Sequence, residues 1–99
     1  MKVIFTPFAQ KALDGVYAYY QRKGLGKSGR KIRAAIIRKA MILRDYPYAG
    51  QIEEFLLEEN KGHRHLMESN YKVIYRIIGQ VVYITDIFDT RQGPEKMNP

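Results

Sequence analysis

Asn70-Tyr71-Lys72-Val73-Ile74-Tyr75-Arg76-Ile77-Ile78 turns through Gly79-Gln80 and returns as Val81-Val82-Tyr83-Ile84-Thr85-Asp86-Ile87-Phe88, ending in Asp89-Thr90-Arg91-Gln92. Runs this dense in β-branched and aromatic residues, joined at a glycine, predict a strand pair. Upstream, Gly62 precedes Arg64 to Glu68, which reads as a third strand entering the pair through Ser69-Asn70. The last third of the chain is therefore expected to be a three-stranded antiparallel meander. Lys72 and Arg76 share one face of its middle strand, because side chains alternate with a period of two.

Towards the N-terminus the pattern changes period. Lys2 to Phe5 reads as a short strand stopped by Thr6-Pro7, with Thr6 a suitable N-cap and Pro7 suited to the first helical position. Leu13, Val16, Tyr17 and Tyr20 then recur at three- and four-residue spacing, which predicts a helix with one apolar face, ended by Gly24 and Gly26. Ser28 is expected to cap a second helix from about Gly29 to Asp45. Its core face is Ile32, Ile36, Ala40 and Leu43, which fall within roughly 80° of one another on a helical wheel. Lys27, Arg30, Lys31 and Arg38 gather opposite, so an antiparallel helical hairpin with a basic outer surface is expected. Ile37 and Met41 lie on the flank of that surface, either as tolerated apolar residues or as part of a partner's contact.

Tyr46-Pro47-Tyr48-Ala49-Gly50 is a break, and residues 51 to 62, where Glu53, Glu54, Glu58 and Glu59 flank Phe55-Leu56-Leu57, fit a short strand, a short helix or an ordered loop. Gln92 to Pro99 reads as a loose tail. The fold class is α+β in a single domain, residues 1 to 99: an N-terminal strand, an antiparallel helical hairpin, then a three-stranded meander, all in one sheet.

The charge is uneven. The chain carries 17 Lys and Arg against 10 Asp and Glu, a net charge of +7. Residues 1 to 47 hold 11 of the cations and 2 of the acids, whereas residues 48 to 99 hold 6 cations and 8 acids. The helical half is the electrostatic handle, for nucleic acid or an acidic partner. With no cysteine there is neither a disulfide nor a thiolate metal site. The opening residues lack the apolar run of a signal peptide, and no stretch is long and apolar enough for a membrane span, so a soluble cytoplasmic protein without membrane contact is the expectation.

The order of elements, together with Thr6-Pro7, Tyr46-Pro47-Tyr48-Ala49-Gly50, Arg64-His65-Leu66, Asn70 to Arg76 and Asp89-Thr90-Arg91-Gln92-Gly93-Pro94, resembles the RelE/ParE superfamily of bacterial toxins from type II toxin-antitoxin pairs. The resemblance implies a cognate acidic antitoxin as partner and, as targets, DNA gyrase for ParE-like members or the ribosome and its mRNA for RelE-like ones. No cofactor is expected.

Cleaving RNA through its 2′-OH requires a proton acceptor, a proton donor to the leaving oxygen, and cations for the charge growing on the phosphate. His65, Lys72, Arg76 and Arg91 are the candidates, and aligned strands could bring them together. His63 and His65 without a clear carboxylate partner fall short of a metal site. Two departures weaken the nuclease. Lys72 aligns with a position where RelE-like enzymes typically carry arginine, and a lysine lacks the bidentate hold of a guanidinium. The residues after Arg91 supply neither the tyrosine nor the histidine-tyrosine pair of that branch. Arg91 could equally anchor the chain end through Asp86 or Asp89. The reading is thus a ParE-like, gyrase-inhibiting toxin, with an mRNA endonuclease and a non-toxic nucleic-acid-binding module as alternatives. Partner binding falls to Lys27, Arg30, Lys31, Ile37, Arg38 and Met41.

Overall fold

Val3, Ile4 and Phe5 pack one short strand, β1 (Lys2–Phe5), before the chain turns at Thr6 into α1 (Pro7–Arg22). The computed structural model describes residues 1–99. Thr6 is extended, and its Oγ1 accepts a hydrogen bond from Ala9 N–H at 3.2 Å, satisfying one of the free amides of the first turn. The Thr6 N–H donates to Ile84 O at 3.0 Å, which ties the helix start to the last strand.

The second helix, α2 (Gly26–Met41), begins earlier than the spacing suggested, and Ser28 does not cap it. Leu25 stands at the cap position without a side-chain bond, and Ser28 lies exposed in the first turn. The helix also ends earlier, passing into a 3-10 turn at Ile42–Arg44. Where the helices cross, a Cβ on Gly29 would lie 2.8 Å from Tyr20 Cβ, so the close approach requires glycine.

The sheet contains β2 (Gln51–Ile52), β3 (Arg64–Glu68), β4 (Tyr71–Ile78) and β5 (Val81–Asp89) in addition to β1. Its order is β1-β5-β4-β3-β2, with β1 parallel to β5 and every other pairing antiparallel. The meander is present as expected, and it is widened on one side by the parallel first strand and on the other by β2. Residues 51 to 62 thus resolve into a two-residue edge strand followed by a 3-10 segment, Glu54–Glu59.

Each face of the sheet has its own core. Tyr71, Val73, Tyr75, Val82, Ile84 and Ile87 meet Ala9, Leu13, Val16, Ile36, Ala40 and Leu43 of the helical layer. On the opposite face Ile74 and Phe88 meet Leu56 and Met97. A fully buried side chain of this size contributes about 1.5–3 kcal/mol, so the first core sets the fold while the second holds two irregular segments in place. The tail is one of them, and it is docked, contrary to the loose end expected. Met97 is buried, Asn98 N–H donates to Asp86 Oδ2 at 2.9 Å, and Asn98 Nδ2 donates to Thr85 O at 3.0 Å. Thr85 has no partner across β4 because the register slips between Ile74 and Tyr75, a bulge that frees its carbonyl for the tail.

Candidate functional site

Alternation along β4 places Lys72, Ile74 and Arg76 on the face away from the helices, and the β3–β4 register sets His65 opposite Ile74 on that same face. Three of the four nuclease candidates therefore share a surface. Arg91 does not join them. Its Nε and Nη2 donate to Asp89 Oδ1 and Oδ2 at 2.9 and 2.8 Å, and its guanidinium lies 5.8 Å from the Tyr19 ring of α1. Because Asp89 pairs with Tyr71, whose side chain enters the helical core, this end of β5 presents Arg91 to the helical layer.

The surface holding His65 and Lys72 is filled from within. After β2, Glu53 N–H donates to His63 O at 2.9 Å and the chain folds over the sheet. Glu53 is 1% exposed. Its Oε1 accepts from Lys72 Nζ at 2.8 Å, and its Oε2 accepts from Phe55 N–H at 3.1 Å. His65 Nδ1 lies 2.9 Å from the same Oε1, a close polar contact without the alignment of a hydrogen bond. The Phe55 ring closes over Lys72, with Nζ 5.3 Å from its centroid. His65 thus does have a carboxylate beside it, but a lysine ammonium occupies that oxygen, and no group of three or more His, Asp or Glu is placed to hold a metal.

Burial alone would raise the Glu53 pKa, but the Lys72 hydrogen bond, the Phe55 amide and the charges of Lys72 and His65 outweigh it and hold the carboxyl below its ordinary value. Burial and then the Lys72 charge push His65 down despite Glu53. His63 is lowered by burial and by Arg76, although its Nε2 lies 3.1 Å from Pro99 O and that bond favours the charged ring. Arg76 Nε is buried without a protein partner. Chemically, the face has a neutral imidazole beside an ammonium already neutralised by a carboxylate. A phosphate reaching Lys72 would have to displace Glu53.

On the helical layer, Lys27, Arg30, Lys31 and Arg38 are exposed. Ile37 and Met41 are both half-buried, and the Ile37 side chain packs against the main core. Sequence reasoning missed Glu53, one of four acids in a segment without periodicity. It also missed the lock around Gly50. The buried Tyr75 hydroxyl donates to Pro47 O at 2.8 Å and accepts from Gly50 N–H at 2.9 Å, while Arg64 Nη1 donates to Gly50 O at 2.7 Å. A Cβ on Gly50 would lie 2.6 Å from His65 O, so this approach to β3 admits only glycine.

The family model described as ParE toxin of type II toxin-antitoxin system, parDE, matches residues 3–94. A search of curated proteins gives no match. Among solved structures, the chromosomal ParDE TA system from P. aeruginosa is similar, with a TM-score of 0.73 and 21% identity over 88% of this chain and 92% of that one. No helix is long and apolar enough to cross a membrane.

Proposed function

Since this chain belongs to the ParE toxin family of type II toxin-antitoxin systems, we propose that it arrests growth by inhibiting DNA gyrase, without nuclease chemistry, and that a cognate acidic antitoxin silences it in the cytoplasm. The observation carrying the non-cleaving part is the Glu53 carboxylate, buried on Lys72 and beside His65. General acid-base cleavage needs its imidazole and cations free to meet substrate. Here Lys72 is neutralised, His65 is screened and Arg91 lies against Tyr19 on the helical side. Gyrase inhibition calls for no acid-base chemistry from these groups. The antitoxin reading rests on the family and on the net charge of +7, which favours an acidic partner.

Inducing the protein alone in a bacterial host is expected to stop growth, and co-expressing a small acidic protein encoded beside it is expected to restore growth. Normal growth at high soluble expression would contradict the toxin assignment.

A further inference from the structure

α2 carries Lys27, Arg30, Lys31, Arg33, Arg38 and Lys39 and no acidic residue. Arg33 is held by Asp14 at 3.3 Å and Lys39 approaches Glu68 at 3.9 Å. The other four cations are exposed, and none takes part in an ion pair. At about 100° per residue, Lys27, Lys31 and Arg38 fall within roughly 40° of one another, with Arg30 about 60° to one side. Eleven residues separate the first from the last, or about 16 Å along the axis.

The fold gains little from this arrangement: Arg38, in the last turn, suits the helix dipole, but the other three cations have no such role. Lys27 repels both Arg30 and Lys31 at helical spacing, and in the first turn it opposes the helix dipole. Solubility would be served by the same charges anywhere. Between the cations the stripe offers Ala34, which is neither an aromatic platform for single-stranded bases nor an anchor for a protein interface. Of the large exposed apolar residues, Tyr46, Tyr48, Ile52, Phe55 and Leu57 belong to the segment around β2, while Leu25 and Ile42 stand at the two ends of α2, outside the span from Lys27 to Arg38. A straight, purely cationic stripe fits a polyanion with regularly spaced charge.

We propose that the solvent face of α2 binds the phosphate backbone of duplex DNA, without reading its sequence. The argument is independent of the toxin reading. Four phosphate contacts give a slope of about −3.6 in log affinity against log salt, on the order of a hundredfold loss between about 50 and 200 mM.

The test is fluorescence anisotropy with a labelled duplex of about 20 base pairs at about 50 mM salt. The variant combining Lys27→Gln, Arg30→Gln, Lys31→Gln and Arg38→Gln is compared with a control combining Lys2→Gln, Lys11→Gln, Arg44→Gln and Lys61→Gln, each checked by circular dichroism for native helix content. The α2 variant is expected to lose at least about tenfold in affinity and most of the salt slope, while the control stays within about threefold. Equal losses in both variants would reduce the effect to net charge and overturn the proposal. So would absence of binding by the unmodified protein, tighter binding of the single strand than of the duplex, or equally tight binding of poly-glutamate, which would assign the face to an acidic protein.

Discussion

Glu53 Oε1 accepts a hydrogen bond from Lys72 Nζ at 2.8 Å, and through it the irregular segment after β2 is fastened to β4, the central strand of the sheet. Because the carboxylate is 1% exposed while Lys72 and His65 keep only small exposed fractions, removing its charge leaves two basic groups facing an apolar cover. Glu53→Gln is expected to cost roughly 2–3 kcal/mol in urea unfolding, less than the 3–5 kcal/mol or so of breaking a fully buried pair because Lys72 retains some water. Combining Glu53→Leu with Lys72→Met should recover much of that loss. A change below about 0.5 kcal/mol for Glu53→Gln would mean that the pair does not hold the segment.

The same cluster sets a pH dependence. His63 and His65 both have pKa values below the ordinary 6.5, chiefly through burial, and Glu53 lies below its ordinary 4.5 because Lys72 and Phe55 outweigh burial. A group depressed by folding binds protons more readily in the unfolded chain, so its contribution to stability is complete above the ordinary value and is lost as pH falls through the folded one. Tm is therefore expected to fall as pH drops below about 6.5, first through the histidines and then, below about 4.5, through Glu53 as well. Asp86 acts in the opposite sense. Burial raises it, so its contribution is complete below 3.8 and is lost as pH rises through the raised value. Thermal melts from pH 8 to pH 5 check the sign; a Tm that rises on acidification would contradict it.

Tyr75 and Gly50 make a second sharp test. Tyr75→Phe removes the donor to Pro47 O and the acceptor of Gly50 N–H without opening a cavity, and is expected to cost about 1–3 kcal/mol. Gly50→Ala is expected to cost at least as much, since its Cβ would press on the backbone of β3 rather than on a flexible side-chain tip. Urea unfolding of both variants gives the comparison, and a neutral Gly50→Ala would show that the β2–β3 approach is looser than described.

Met97, Asn98 and Pro99 cross the sheet face that a nuclease would need. Deleting them removes a buried side chain and takes from the Asp86 carboxylate its Asn98 amide. The truncated chain is expected to lose roughly 2–4 kcal/mol. Faster hydrogen exchange should appear in β5 around Thr85 and at His63, whose ring contacts Pro99 O. Unchanged exchange there would contradict the docked tail.

What could be read from the sequence follows from where the signal is local. Thr6 and Pro7 mark a helix start chemically, and the 3.6 and 2.0 periods of Leu13-Val16-Tyr20 and of β4 belong to single elements. The parallel pairing of β1 with β5 joins residues about eighty positions apart and leaves no local trace. Glu53 resembles its acidic neighbours until the fold brings β4 beneath it, and Met97 carries no pattern of its own. Ser28 misled because a hydroxyl near a glycine imitates a cap, whereas α2 had already begun at Gly26. The shared face of Lys72 and Arg76 was legible from alternation, whereas His65 joins it through the β3–β4 register. That Arg91 would turn to the helical side, and that a carboxylate would fill the face, depended on long-range packing.

The most direct test of the non-cleaving assignment follows plasmid supercoiling and maps mRNA 5′ ends in one culture after the protein is induced without an antitoxin. Negative supercoiling is expected to fall while mRNA ends stay as in the uninduced culture, and Arg91→Ala should leave both readouts unchanged. Codon-positioned mRNA cuts with supercoiling intact, lost on Arg91→Ala or Lys72→Ala, would contradict it.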